Sequence, residues 1–323
     1  YSGDDNFKVG NSIYMRWGNF TTTARWNHQF SSKLFSNTSF IYSDYQYNLG
    51  VPSDGADQFD WTSSIRDLNF KEDFSYYISA RNKMKFGVNI IHHEFNPGEI
   101  EAKGNSFFNS LKMTKYNALE GAVYVSNEQT IGSRLTLLYG MRYSLFQQMG
   151  EGRMAEYVNP EKPNRNEVVK INTYERGDLI GDAYGNLEPR LSAKWMLDTE
   201  SSLKASYNRM VQNLHLISNT ASPTPLDVWL PSTKYIKPLI ANQVGLGYFR
   251  NFDNDMFETS AEVFYKDMTN VIDFIDDAEL FFREDLETEL LRGDGYAYGL
   301  ELLVKKTAGK WNGWVGYTLS RSM

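Results

Sequence analysis

The residues that invite a chemical reading are few and scattered. Four histidines occur in 323 residues, and cysteine is absent. Without thiols there is no disulfide, no thiolate metal site and no cysteine nucleophile, which leaves imidazole, carboxylate, hydroxyl and aromatic groups. His92-His93-Glu94 sets two imidazoles beside a carboxylate, ligands that suit a transition metal. The residues on either side alternate as a strand does, however, and successive strand residues face opposite ways. His92 and His93 are therefore expected to point to different surfaces and to serve structure rather than grip one ion. His28 falls between Trp26 and Phe30 on the apolar side of its segment, an interfacial position that suits a ring with a polar edge.

Carboxylates gather between Asp273 and Glu289, where Arg283 is the one counter-charge. Hard oxygen ligands hold calcium, so Asp276, Asp277 and Glu279 are the candidate cation ligands. The Asp/Asn alternation of a dedicated calcium loop is absent, and Leu280-Phe281-Phe282 interrupts the run. A solvated loop is the simpler reading. Residues 149–185 form a long connection carrying Tyr157 and Arg165, expected to lack secondary structure, and such connections are usually functional or disordered. Residues 215–240 form another, in which Pro223, Pro225 and Pro231 stiffen the chain around Trp229 and Tyr235. Trp229, Tyr235, Tyr157 and Arg165 are the candidate substrate contacts, since such rings can stack on a flat or sugar-like face. The alternative is that they pack the loops against each other. His215 close to Ser218 is the nearest approach to a base–nucleophile pair, but no acid at triad geometry can be inferred. The chain is read as non-enzymatic, and no cofactor is expected.

Any of these groups must be positioned by β-structure. Between Asn19 and Phe30 the even positions are Phe20, Thr22, Ala24, Trp26, His28 and Phe30, and the odd positions are polar. Leu135, Leu137, Tyr139, Met141, Tyr143 and Leu145 oppose Arg134, Thr136, Arg142 and Ser144. Leu187, Leu191, Ala193 and Trp195 oppose Glu188, Arg190, Ser192 and Lys194; Tyr296, Tyr298, Leu300, Leu302 and Val304 oppose Glu301 and Lys305. Period-two alternation of this kind gives each strand one apolar and one polar face. It blurs over 61–74 and 257–268. Twelve such segments are expected near 18–30, 33–47, 59–75, 83–96, 114–127, 133–148, 186–197, 201–214, 241–252, 256–274, 293–307 and 311–323, with 8–15 belonging to an earlier strand. Most exceed the length of ordinary globular strands.

Connections sort into two classes that alternate along the chain. Short polar turns lie at 31–32, 80–82, 128–132, 198–201, 253–255 and 308–310; long ones lie near 48–58, 97–113, 149–185, 215–240 and 275–292. In an up-and-down meander, alternate turns share one rim, which predicts short periplasmic turns and long extracellular loops on a transmembrane antiparallel β-barrel. An aromatic share of 15% fits rings at both headgroup levels. No run of eighteen apolar residues is present, so no transmembrane helix is expected. A net charge of −7 without a basic block excludes nucleic acid as a partner. A closed twelve-stranded passive porin or autotransporter-type pore, an outer-membrane hydrolase barrel and a soluble carbohydrate-binding β protein are the competing architectures.

The wording of several strands resembles a known family. Trp17-Gly18-Asn19-Phe20-Thr21-Thr22-Thr23-Ala24-Arg25-Trp26, Leu187-Glu188-Pro189-Arg190-Leu191-Ser192, Ser260-Ala261-Glu262-Val263-Phe264-Tyr265 and Gly295-Tyr296-Ala297-Tyr298-Gly299-Leu300-Glu301 are similar to barrel strands of TonB-dependent outer-membrane receptors of the Bacteroidetes type. The resemblance covers nearly the whole chain. It implies about twelve strands of a 22-stranded, plugged barrel, with residues 1–323 forming one partial barrel domain and with the plug, TonB box and final strands absent from this stretch. It also implies active uptake of a bulky nutrient such as a glycan, peptide, siderophore or cobalamin. The implied partners are outer-membrane lipid and lipopolysaccharide, the plug and remaining strands, the TonB–ExbB–ExbD system and a surface lipoprotein. Arg134, Arg142, Glu188, Arg190, Lys194 and Glu301 would then face the lumen.

Overall fold

The computed structural model describes residues 2–9, 13–50, 59–102, 111–217, 228–276, 278 and 285–323. The first strands are β1 (Ser2–Val9), β2 (Ile13–Gln29), β3 (Leu34–Gly50), β4 (Phe59–Ser79) and β5 (Asn82–Ala102). They are followed by β6 (Leu111–Lys112), β7 (Tyr116–Ile131), β8 (Leu135–Met149), β9 (Gly152–Tyr157) and β10 (Val168–Tyr174). Next come β11 (Leu179–Met196), β12 (Ser201–Gln212), β13 (Leu214–Ile217) and β14 (Val228–Pro231). The chain continues through β15 (Leu239–Phe252), β16 (Phe257–Phe274), β17 (Leu290–Lys306) and β18 (Gly313–Ser322). Thirteen of these pair antiparallel in chain order, β1-β2-β3-β4-β5-β7-β8-β11-β12-β15-β16-β17-β18, with short β6 added to β5. Among the described residues, β1 pairs only with β2 and β18 only with β17.

Twelve wall strands fall where alternation places them, and β1 is the earlier strand; residues 8–15 span the turn between β1 and β2. Several strands run longer than alternation shows. β4 and β5 have 21 residues each, about 70 Å at strand rise, far more than a tilted crossing of the ~30 Å hydrocarbon layer needs. In β4 the residues beyond the expected segment, 76–79, lie beside a short turn, and in β5 those at 97–102 lie on the rim of the long connections. That rim has one exception to its own rule, because only residues 10–12 join β1 to β2.

Register turns strand-by-strand alternation into two continuous surfaces. Directly opposed residues share a face, so Phe40, Phe70 and Ile90 form one row. Val88, Val123, Tyr143 and Leu187 form another, and Tyr207, Val244, Tyr265 and Tyr298 a third. This face carries large exposed apolar side chains, among them Trp26 at 65% and Leu187 at 56% exposed. Exposed apolar surface on that scale needs a non-aqueous neighbour. The opposite face is polar and carries Glu120, Arg142, Glu188 and Arg190 in neighbouring rows.

The blurred segments have local causes. In β4 the pairing with β5 shifts between Thr62 and Ser64, which re-aims the side chains on either side of the bulge. Glu72 breaks the apolar face and receives a hydrogen bond from Thr38 Oγ1 at 2.5 Å. In β16 the inward Phe264 lies over Gly299, where any Cβ would meet its ring at 2.8 Å. A bulge at Asn270, with φ 59°, lets its Nδ2 reach Pro238 O at 2.9 Å.

Candidate functional site

The long connections fold onto one another instead of standing free. Residues 149–185, expected to lack secondary structure, contain the β9–β10 hairpin, closed by a 3₁₀ turn at Arg165–Glu167. Residues 213–238 contain the β13–β14 hairpin. β14 packs against β5 and β7, and Asn213 Nδ2 donates to Glu120 Oε2 on the polar face of β7 at 3.1 Å. This hairpin therefore leans over the polar, inner side of the wall.

A small apolar core joins the loops. Leu230 of β14, Ile236 and Leu286 are buried together, with Tyr116, Ile272, Phe274 and Leu290 packed around them. Polar contacts complete the joint. Tyr157 OH donates to Glu287 Oε1 at 3.0 Å, and its ring meets Tyr235 edge-on with centroids 5.1 Å apart. Tyr235 OH donates to Ala155 O at 2.7 Å. Arg165 pairs with Glu289, which is only 1% exposed. Glu161 binds both Arg292 and Lys237.

Three of the four expected substrate contacts, Tyr157, Tyr235 and Arg165, thus meet in one cluster, with their polar atoms engaged by neighbouring loops. Trp229 is half-buried on β14 opposite Leu216, on the other face of the hairpin from Leu230. Asp276 is exposed; Asp277 and Glu279 lie outside the described residues. Among the described residues no group of three or more His, Cys, Asp or Glu side chains could hold a metal. The acidic segment turns one end inward, where Leu286 and Glu289 are buried. Glu287 and Glu289 lie more than a hundred residues from the partners they bind, and no local pattern marks them.

Burial governs the titrating groups here. It raises the Glu287 carboxyl above the ordinary range, with Asp285 adding to the shift and the Tyr157 hydroxyl opposing it. Burial first and Glu287 second raise Tyr157, which keeps its proton and remains a donor. His215 Nε2 and Ser232 Oγ are a buried pair 3.0 Å apart, and burial lowers His215 from 6.5 to about 4. Ser232 is 0% exposed, so this pair has no substrate access; Ser218 lies outside the described residues.

The polar face below the loops is a linked network. His93 Nδ1 lies 2.7 Å from Asp67 Oδ1, while His92 stands on the apolar face between Leu68 and Leu119, so the two imidazoles do face opposite ways. Tyr124 donates to Asp73, which also pairs with Lys71 at 2.8 Å. Arg142 lies between Glu120 at 3.8 Å and Glu188 at 3.6 Å. Such a surface suits water, polar solute or a second polar domain.

Residues 1–322 match the family model described as "TonB dependent receptor-like, beta-barrel". No curated protein matches the chain. Solved structures similar in fold include the ferric-catecholate import receptor Fiu from E. coli K12 in its closed form, with TM-score 0.64 and 13% identity over 97% of this chain and 48% of that one. The pyoverdine receptor FpvA from Pseudomonas aeruginosa PAO1, bound to pyoverdine, gives 0.62 and 14% over 96% and 45%. The alcaligin receptor FauA from Bordetella pertussis gives 0.56 and 13% over 100% and 52%. The chain spans about half the length of these structures.

Proposed function

Since the chain belongs to the TonB-dependent receptor family as a stretch of its β-barrel, we propose that it serves active uptake of a bulky nutrient across the outer membrane, within a larger receptor. One observation carries this reading. A single meander has an apolar outer face, a polar inner face and long connections on one rim, and those connections fold inward as a cap. The apolar face meets lipid and the capping rim meets the outside.

In this reading the whole barrel has about 22 strands and holds a plug against the inner network of Arg142, Glu188 and Arg190. The TonB–ExbB–ExbD system supplies the energy through that plug, and the wall carries no reaction. The similar solved structures named for siderophore and iron import favour a chelated metal over a glycan or peptide as cargo. Trp229, half-buried and on the other face of its hairpin from buried Leu230, is the residue we assign to first contact. The wording of the strands, which resembles receptors of the Bacteroidetes type, supports a receptor of that branch, in which a surface lipoprotein would sit over the capping rim.

The test is accumulation of radiolabelled ferric chelates by cells producing the complete receptor. Uptake that persists after TonB is removed, or that shows neither saturation nor selectivity, would reject active transport in favour of passive diffusion.

A further inference from the structure

Toward the rim of short turns, the polar face of the wall holds a cavity of about 450 Å³. Its floor follows one row of the sheet, in which Lys85, Ser126, Gly140 and Arg190 stand opposite one another in register. The middle of that row is nearly bare. A Cβ on Gly140 would meet Ser126 Cβ at 2.7 Å, so glycine keeps this part of the floor clear. Lys85 and Arg190 rise on either side of it, three strand spacings or about 14 Å apart at the backbone. The result is a cradle with small residues below and long cationic side chains at its edges.

Lys71, Lys83, Lys85, Arg142 and Arg190 line the cradle against one carboxylate, Glu128. Neighbouring carboxylates engage these cations only in part. Lys71 pairs with Asp73 at 2.8 Å. Arg142 lies 3.8 Å from Glu120 and 3.6 Å from Glu188, and Arg190 lies 3.9 Å from Glu188. Those three separations exceed hydrogen-bond reach, so both guanidinium groups keep donors to spare. Arg190 leaves 56% of its side chain exposed. Lys83 stands over the Tyr77 ring at 4.8 Å, and Lys85 pairs with no carboxylate among the described residues.

A bare floor between cations with unused donors suits a ligand that carries several acidic oxygens. We propose that the cradle is an anion subsite of the lumen wall, and that the cargo is a solute of net negative charge. Lys83 and Lys85 hold one acidic group and Arg190 another, across Ser126 and Gly140. Lys83 follows the short turn before β5 by one residue, so the subsite lies at the end of the path, far from the cap. A station there must attract the anion and still release it, which lysines on flexible stems allow. The cargo assignment rests on the uptake reading; the anion site itself does not.

The complete receptor, purified in detergent, is titrated calorimetrically with inorganic pyrophosphate as the probe. Wild type is expected to bind it saturably. Lys83→Gln with Lys85→Gln removes two cations, and Ser126→Phe fills the floor; each is expected to weaken binding about tenfold. Lys204→Gln, on the same face but outside the cradle, is expected to bind like wild type. Heat-resistant gel mobility reports folding, and if Ser126→Phe does not fold, the lysine variant decides. Absence of saturable binding by wild type, or equal affinity in the decisive variant, overturns the site. In cells, the lysine variant is expected to lower the maximal uptake rate of an anionic ferric chelate about tenfold relative to a neutral one. Capture at the cell surface is expected to stay unchanged. An unchanged ratio of rates overturns the cargo assignment. A wild type that binds pyrophosphate yet accumulates no chelate overturns the uptake reading and leaves the anion site standing.

Discussion

At the scale of single residues, the cap holds two groups whose protonation opposes in sign. Burial depresses His215 to about 4, so the stability that it gives the β13–β14 hairpin is present above its ordinary value near 6.5 and is lost as pH falls through about 4. Protection factors in β13 and β14, exchange rates corrected for their intrinsic pH dependence, are expected to fall about tenfold as pH drops across that window, and His215→Gln to flatten the dependence; pH-independent protection in the wild type would contradict this. Burial raises Glu287. Its protonated form stabilises the cap fully below the ordinary carboxylate value, and that contribution is lost as pH rises through the raised one. Glu287→Gln keeps an acceptor for Tyr157 without charge, so exchange over 285–290 should slow about threefold at pH 8 and change little at pH 4. What was legible here was local. The opposite facing of His92 and His93 follows from strand geometry alone. Meeting of Tyr157 with Glu287, and of Arg165 with Glu289, depends on how separate loops fold together, and composition carries no record of that.

At the scale of strands and hairpins, the wall was the most legible part, because hydrophobic alternation is repeated in every strand and register then has little freedom. Departures arise where one glycine or bulge changes the local rule. Gly87 is such a place: a Cβ there would meet Glu72 O at 2.2 Å and the Tyr124 hydroxyl at 2.6 Å. The bare backbone lets Tyr124 cross from β7 over β5 to Asp73 on β4. Gly87→Val should break this link and cost about 1–3 kcal/mol through overpacking. The lowered temperature at which the folded gel band disappears would show it, and an unchanged temperature would refute the bridge. The inner hairpins β9–β10 and β13–β14 were less legible. They are short, and the prolines and charges around them read as loop whether or not a hairpin forms.

For the molecule as a whole, the alternation of connection lengths distinguishes the two rims, and only the short 10–12 connection departs from it. Absence of cysteine makes the assignment directly testable. Single substitutions Glu161→Cys on the capping rim and Asn254→Cys in the 253–255 turn are each expected to fold. A membrane-impermeant maleimide added to intact cells should label the first and spare the second. Reversed labelling would invert the barrel. That turn tolerates three successive left-handed residues, Asp253, Asn254 and Asp255, because Asp and Asn accept the conformation better than other side chains.

Strict neighbour-to-neighbour pairing has a consequence for how the wall is made. Among the described residues each wall strand meets its next partner across one connection, so the closure entropy of each such pairing is set by loop length. Turns such as 253–256 bring partners together almost at once, whereas the spans over 150–178 and 213–238 must also settle their own hairpins. Assembly is therefore expected to advance in pairs, a quick zippering of two strands followed by a slower wait for the next pair.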